Sequence, residues 1–401
     1  MIPRITYVSL TLAFCGGVSL LLGRIAHLSY ASITLLAAGL ACYLLMTNPL
    51  PADPANASLH ETLEAIRAEY KLPALAGALF TTDKVLEMAA VGVRKAGTTV
   101  PVTSDDLWHL GSDTKAMTAT LAGTFVAENK LAWDAKVLSF FPEIANDVPA
   151  ANRDITLSQV LSHHAGLIEN LDWRALSVSG SLPEQRLAAV RLALTKPAYA
   201  PGAFHYANTD YVVAAAILEK ISGKSWEELI RERIFQPLGM SSAGFGGTGT
   251  IGQIDQPWPH LESGAPAPFN GPLADNAELM NPAGRVHVTM ADWAKFLEDQ
   301  LRGGEGLKAL LPSEIYVPIQ TAHGDQYGYG WGVVDRPWAG GKALTHAGSN
   351  TMNFCVCWLA PNRNFGVLVV SNEGGPQMAK ATDEAASALI FRYLKPGAKS
   401  P

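Results

Sequence analysis

The chain has 401 residues, 16% of them charged and 48% apolar, with a formal charge of −6 at pH 7. That balance fits a globular protein with a well-buried core and excludes a disordered chain. The charges form no basic patch and no single-sign run, which excludes a nucleic-acid binder and leaves small molecules or another neutral-to-mixed surface as the expected partners.

At the N-terminus, residues 5–23 and 27–46 are apolar stretches of near-spanning length, separated by Arg24 and His27. They predict membrane-anchoring segments over residues 1–47, either two transmembrane helices or a signal-anchor. No Lys or Arg occurs between Met46 and Arg67, so the positive-inside tendency keeps Arg24 in the cytoplasm and places everything after Met46 outside it. The expectation is a membrane-anchored chain with an extracytoplasmic domain, periplasmic or extracellular. Residues 48–57, rich in Pro, Ala and Asn, read as a linker.

Ser58 with Glu61 three positions later makes a capping box, which opens a helix to about Tyr70. Residues 74–80 and 85–93 are apolar and β-prone and flank Thr81-Thr82-Asp83-Lys84, as in a hairpin. From about 106 to 270 the pattern turns helical, with apolar periodicity over 112–129, 157–162, 187–194, 210–221 and 226–234. Strand signals return at 330–334, 343–346, 354–359 and 365–371, and an amphipathic helix closes the pattern at 376–394. This order describes an α+β fold over residues 58–396. An antiparallel sheet is flanked by the first and last helices, and a helical subdomain is inserted between its halves. A ligand cleft is expected at that junction.

Four cysteines are too few for a disulfide scaffold. Cys355 and Cys357, two apart in a predicted strand, share one face and read as small buried apolar side chains. There is no Cys-x-x-Cys and no His-Glu-x-x-His, so no metal is expected.

Three short patterns carry chemistry. In Ser112-Asp113-Thr114-Lys115 a glycine precedes and an apolar periodic segment follows, so Ser112 would sit at a helix N-terminus with Lys115 one turn on along the same face. The helix dipole there favours developing negative charge, and a partly desolvated lysine becomes a usable base. In Tyr206-Ala207-Asn208 a phenol near that cation can shuttle protons, and the asparagine amide can orient an acyl substrate. In His346-Ala347-Gly348 a strand ends where Gly348 would permit close approach of a substrate. The Ser349 amide could then join that of Ser112 in an oxyanion hole. A Gly-x-Ser-x-Gly nucleophile elbow is absent from the sequence.

In this order, with Leu161 to Leu167, Pro282-Ala283-Gly284 and Tyr329-Gly330-Trp331-Gly332 around them, the patterns resemble class C β-lactamases and their relatives. Those relatives are penicillin-recognising D,D-peptidases, D-aminopeptidases and esterases. The resemblance covers about Ser58 to Leu394. It implies the β-lactamase/transpeptidase-like fold and a cofactor-free serine hydrolase cleaving an amide, peptide or ester bond. In it Ser112 attacks, Lys115 and Tyr206 move the proton, Asn208 holds the acyl side, and the amides of Ser112 and Ser349 hold the oxyanion. Lys-Thr-Gly is usual in efficient class C β-lactamases where this chain has His346-Ala347-Gly348. A lysine there is a permanent cation and a histidine is mostly neutral, which argues against strong β-lactam turnover. A true β-lactamase and a penicillin-binding sensor without turnover are the alternatives.

Overall fold

The run Ala-Leu-Ala-Gly-Ala-Leu-Phe at Ala74–Phe80 holds no polar side chain, a pattern suited to a strand covered on both faces. It forms β1, followed by β2 (Val85–Gly92), β3 (Leu107–His109), β4 (Gly244–Phe245), β5 (Val286–Thr289), β6 (Gly332–Arg336), β7 (Gly341–Ser349), β8 (Phe354–Ala360) and β9 (Phe365–Ser371). The longer helices are α1 (Leu59–Tyr70), α2 (Thr114–Ala127), α3 (Leu182–Thr195), α4 (Asn208–Ser222), α5 (Met290–Gly304) and α6 (Pro376–Leu394). The computed structural model describes residues 57–394, apart from Val178 and Pro197. The two apolar N-terminal stretches and nearly all of the predicted linker lie outside the described residues. Among those described, no helix is long and apolar enough to cross a membrane.

Six strands make an antiparallel sheet in the order β2–β1–β9–β8–β7–β6. Side chains along β1 alternate between its faces. Leu75 and Leu79 join the outer core with Leu63 of α1 and Leu389 of α6, while Ala76, Ala78 and Phe80 join the inner core with α2, α4 and α5. The first and last helices thus cover one face together, as expected for this α+β fold. The Ser58 capping box forms as predicted, Ser58 Oγ accepting from the Glu61 amide at 3.1 Å.

Between β2 and β6 the chain is mainly helical, but it also builds a second sheet, β3–β5–β4, whose strands of two to four residues leave no readable period. Helix α2 is buried on all sides from Thr114 to Phe125, so the residue at its head is held by the whole inner core. The strand expected at 343–346 runs on to Ser349, because Gly348 and Ser349 pair with Cys355 and Phe354 of β8. His346-Ala347-Gly348 therefore lies inside β7 and not at its end.

Candidate active site

Gly111–Asp113 is a single 3-10 turn feeding α2, and it puts Ser112 at the helix entrance. Gly111 has φ +47, and a Cβ there would lie 2.3 Å from the Ser349 amide nitrogen. Only glycine fits that left-handed conformation against the β7 backbone. Gly348 answers it from the other side: a Cβ on it would stand 1.9 Å from the Leu110 carbonyl oxygen and 2.8 Å from the Ser112 nitrogen. The close approach that Gly348 permits is thus to the nucleophile's own segment. It sets the Gly348-Ser349 backbone of β7 against the Gly111-Ser112 backbone.

Lys115 is fully buried, and its Nζ donates to three oxygens: Ser112 Oγ at 2.9 Å, Asn208 Oδ1 at 2.8 Å and the Ala283 carbonyl at 2.7 Å. Burial lowers its pKa to about 7, against the opposing pull of Asp210 and Asp113. Asn208 Oδ1 and Ala283 O can only accept, so they fix two N–H groups of the amine. The third position, toward Ser112, is then an N–H when the lysine is charged and a lone pair when it is neutral. Asn208 opens α4, and its Nδ2 donates to Asn170 Oδ1 at 2.9 Å. The asparagine thus ties the amine to the loop at Glu169 and Asn170, and its remaining amide hydrogen is available to a substrate.

Tyr206 stands beside the amine, with Lys115 Nζ 4.8 Å from its ring centroid, and 36% of its surface stays open. Burial of its hydroxyl raises the phenol's pKa, more than the neighbouring Ser112 hydroxyl lowers it. The site therefore keeps a phenol and does not favour the phenolate that proximity to a cation alone would suggest. His163 backs that ring at 4.4 Å between centroids, and its Nδ1 lies 2.7 Å from Asp210 Oδ2 and accepts from the Ala207 amide at 3.2 Å. His163 is buried at φ +63, a costly conformation for a residue with a side chain.

His346 is nearly buried and sits 6.4 Å, ring to ring, from Tyr206. The Tyr327 hydroxyl lies 2.9 Å from its Nε2, and its Nδ1 lies 3.0 Å from the Ala347 carbonyl, an oxygen that can only accept. Nδ1 therefore carries the hydrogen, and Nε2 accepts from the tyrosine. Burial, then the Lys115 charge, lower its pKa to about 3, so the ring is neutral across the physiological range. Ser349 spends its hydroxyl on the Asn353 carbonyl at 2.8 Å, which holds the turn after β7.

The seven residues picked out in the sequence, Ser112, Lys115, Tyr206, Asn208, His346, Gly348 and Ser349, thus converge from the 3-10 turn and α2 it feeds, from α4 with the residues leading into it, and from β7. Residues that pattern reading passed over complete the site. Asp113 is buried behind the nucleophile, and the Cys355 and Cys357 thiols donate to its two oxygens at 3.0 and 3.1 Å. The cysteines, expected as plain apolar filler, are donors to a carboxyl whose pKa burial raises to about 7 against the pull of those thiols and Lys115. Asp210, His163 and Tyr327 were also missed. None stood out locally, since each has polar or glycine neighbours, at Ser162-His163-His164, Asn208-Thr209-Asp210 and Gln326-Tyr327-Gly328.

A family model described as Beta-lactamase matches residues 59–390. The chain is 26% identical over 358 residues to "Penicillin-binding protein 4" of Amycolatopsis lactamdurans, covering 86% of this chain and 90% of that protein. It is 26% identical over 287 residues to a "Beta-lactamase" of Escherichia coli (strain K12), covering 70% and 71%. Among solved structures, the octameric penicillin-binding protein homologue from Pyrococcus abyssi superposes with a TM-score of 0.67 at 24% identity, over 83% of this chain and 76% of that one, a likeness of fold.

Proposed function

The chain belongs to the β-lactamase family as one of its serine hydrolases, and from that premise we propose that it opens an ester, amide or peptide bond through an acyl-enzyme on Ser112. The observation that carries this reading is the three-way seat of Lys115 Nζ against Ser112, Asn208 and Ala283. With two hydrogens pinned on acceptors, the neutral amine has only its lone pair to turn toward the serine. Its lowered pKa leaves much of it neutral at pH 7.

The serine proton passes to Lys115 as Oγ attacks the carbonyl carbon. The oxyanion then rests on the Ser112 and Ser349 amides. Tyr206, kept as a phenol, gives its hydrogen to the leaving group and is reprotonated from the lysine beside it. A water molecule repeats the sequence in reverse and frees the acid.

The third motif orders the substrates. A neutral His346 with both ring nitrogens engaged offers no charge to a substrate carboxylate of the kind that a β-lactam carries. Uncharged esters and amides are therefore the preferred class, and class C β-lactam hydrolysis is the second reading. Steady-state rates on nitrocefin, p-nitrophenyl esters and D-amino-acid amides test the order, with nitrocefin expected to be the slowest. Fast nitrocefin turnover reverses the two readings. A stable penicilloyl adduct with no turnover of any of the three favours a non-hydrolytic sensor.

The same proposal puts the domain outside the cytoplasm on a membrane anchor, supported by the apolar stretches around Arg24. Alkaline phosphatase fused to the C-terminus should be active in intact cells. An inactive fusion, with a cytoplasmic fluorescent reporter bright at the same point, would place it inside.

A further inference from the structure

We propose that Asp275 is a positioning residue of this active site, a single buried carboxylate that ties together the segments carrying the nucleophile, the lysine's carbonyl seat and the oxyanion amide of Ser349. Its side chain is wholly shielded from solvent, in a loop far in sequence from all three motifs. Four donors saturate it. Oδ2 meets His109 Nε2 at 2.8 Å and Arg285 Nε at 3.0 Å. Oδ1 accepts from Asn350 Nδ2 at 3.1 Å and from the neighbouring Asn276 amide at 2.8 Å.

Each of three donors leads to a different part of the machinery. His109 Nδ1 accepts from the Gly111 amide at 3.1 Å, so the ring carries its hydrogen on Nε2, toward Asp275, and holds the residue next to Ser112. Arg285 Nη1 donates to Asn281 Oδ1 at 2.7 Å. Those two residues bracket the Pro282 and Ala283 carbonyls, which accept from Thr118 and Lys115. Asn350 follows Ser349, and its Oδ1 accepts from the Met352 amide and Asn353 Nδ2, fixing the turn that leaves β7.

Burial alone would favour the neutral acid, but His109, Arg285 and Asn350 outweigh it and hold the carboxyl at about 2, so it is an anion whenever the enzyme works. The charge matters because an uncharged isostere cannot accept from all three partners. An amide in its place turns an N–H against one of them, leaving a buried donor unpaired and a segment free to shift. A shift of about 1 Å in a reacting group costs roughly a hundredfold in rate.

The inference rests on the serine-hydrolase reading. The test compares the full-length wild-type protein with Asp275→Asn, His109→Gln, their double variant and Asn350→Ala, using p-nitrophenyl butyrate and a fluorophosphonate probe. Asp275→Asn should lower kcat about a hundredfold with KM changed by less than about threefold, and should slow labelling of Ser112 in proportion. The pH at which kcat/KM is half-maximal should stay put, since the base is untouched. The double variant should lose little beyond the worse single one, because both break the same link. Should Asp275→Asn fail to fold, Asn350→Ala removes the bond to Asp275 together with those to Met352 and Asn353, and should still cost about tenfold in kcat. A folded Asp275→Asn or Asn350→Ala variant with wild-type kcat overturns the proposal. A wild-type protein that neither turns over the ester nor takes the label overturns the serine-hydrolase reading instead.

Discussion

Ser112→Ala is expected to abolish labelling by a fluorophosphonate and to reduce ester hydrolysis by about ten-thousand-fold or more, because the acyl-enzyme has no other oxygen to form on. The fold should survive the change. Ser112 Oγ is one of three partners of Lys115 Nζ, and the Asn208 and Ala283 contacts remain. The residues that hold the 3-10 turn, Gly111 and Gly348, are untouched. Thermal unfolding of the variant should fall within a few degrees of wild type, so the loss of labelling can be read as chemistry. Stoichiometric labelling of the variant would remove Ser112 as the nucleophile.

Lys115→Ala should cost nearly as much, about a thousandfold to ten-thousandfold in kcat/KM, since nucleophile and base act as one unit. Lys115→Arg separates charge from basicity. A guanidinium stays protonated throughout, so it keeps the cation and supplies no lone pair, and it should be as inactive as the alanine variant. The pH profile of the wild type carries the same argument. The working form is the neutral amine, and burial brings its pKa to about 7. Activity should therefore be low at acid pH, rise through about 7 and level off above it. His346, held near 3 by burial and the adjacent lysine, adds no limb in that range. A profile flat between pH 5 and 9, or one rising only near 10, would take the role of base from Lys115.

Much of this architecture was legible because its signals are local. The strands β1 and β9 and the helix α6 have the bounds that their apolar patterning gave, and the Ser58–Glu61 capping box marks the start of α1. The three motifs could be placed because each needs particular residue types at short spacing. What escaped depends on partners distant in sequence. Nothing in Ala-Gly-Ser favours a strand, yet β7 extends through Ser349 because β8 pairs with it. Asp275 follows Gly271-Pro272 and precedes Asn276, a composition that reads as solvated loop. Only the fold shows that His109, Arg285 and Asn350 close over it. Cys355 and Cys357 were placed correctly on one face. Their bonds to Asp113 could not be foreseen, because that carboxylate is more than two hundred residues away.

The position of β1 between β2 and β9 has a consequence for how the protein is made. Ser371 Oγ donates to the Ala74 carbonyl at 2.9 Å across 297 positions, and strand pairing along the same ladder spans a similar interval. A ribosome must deliver the chain as far as β9 before β1 finds its second neighbour. Until then the hairpin of β1 and β2 presents a bare, apolar edge, the kind of surface on which nascent chains stick to one another. A message cut short after β8 would leave that edge open for good. Its product, though it carries every motif of the catalytic centre, would be a substrate for chaperones and proteases before it could be an enzyme.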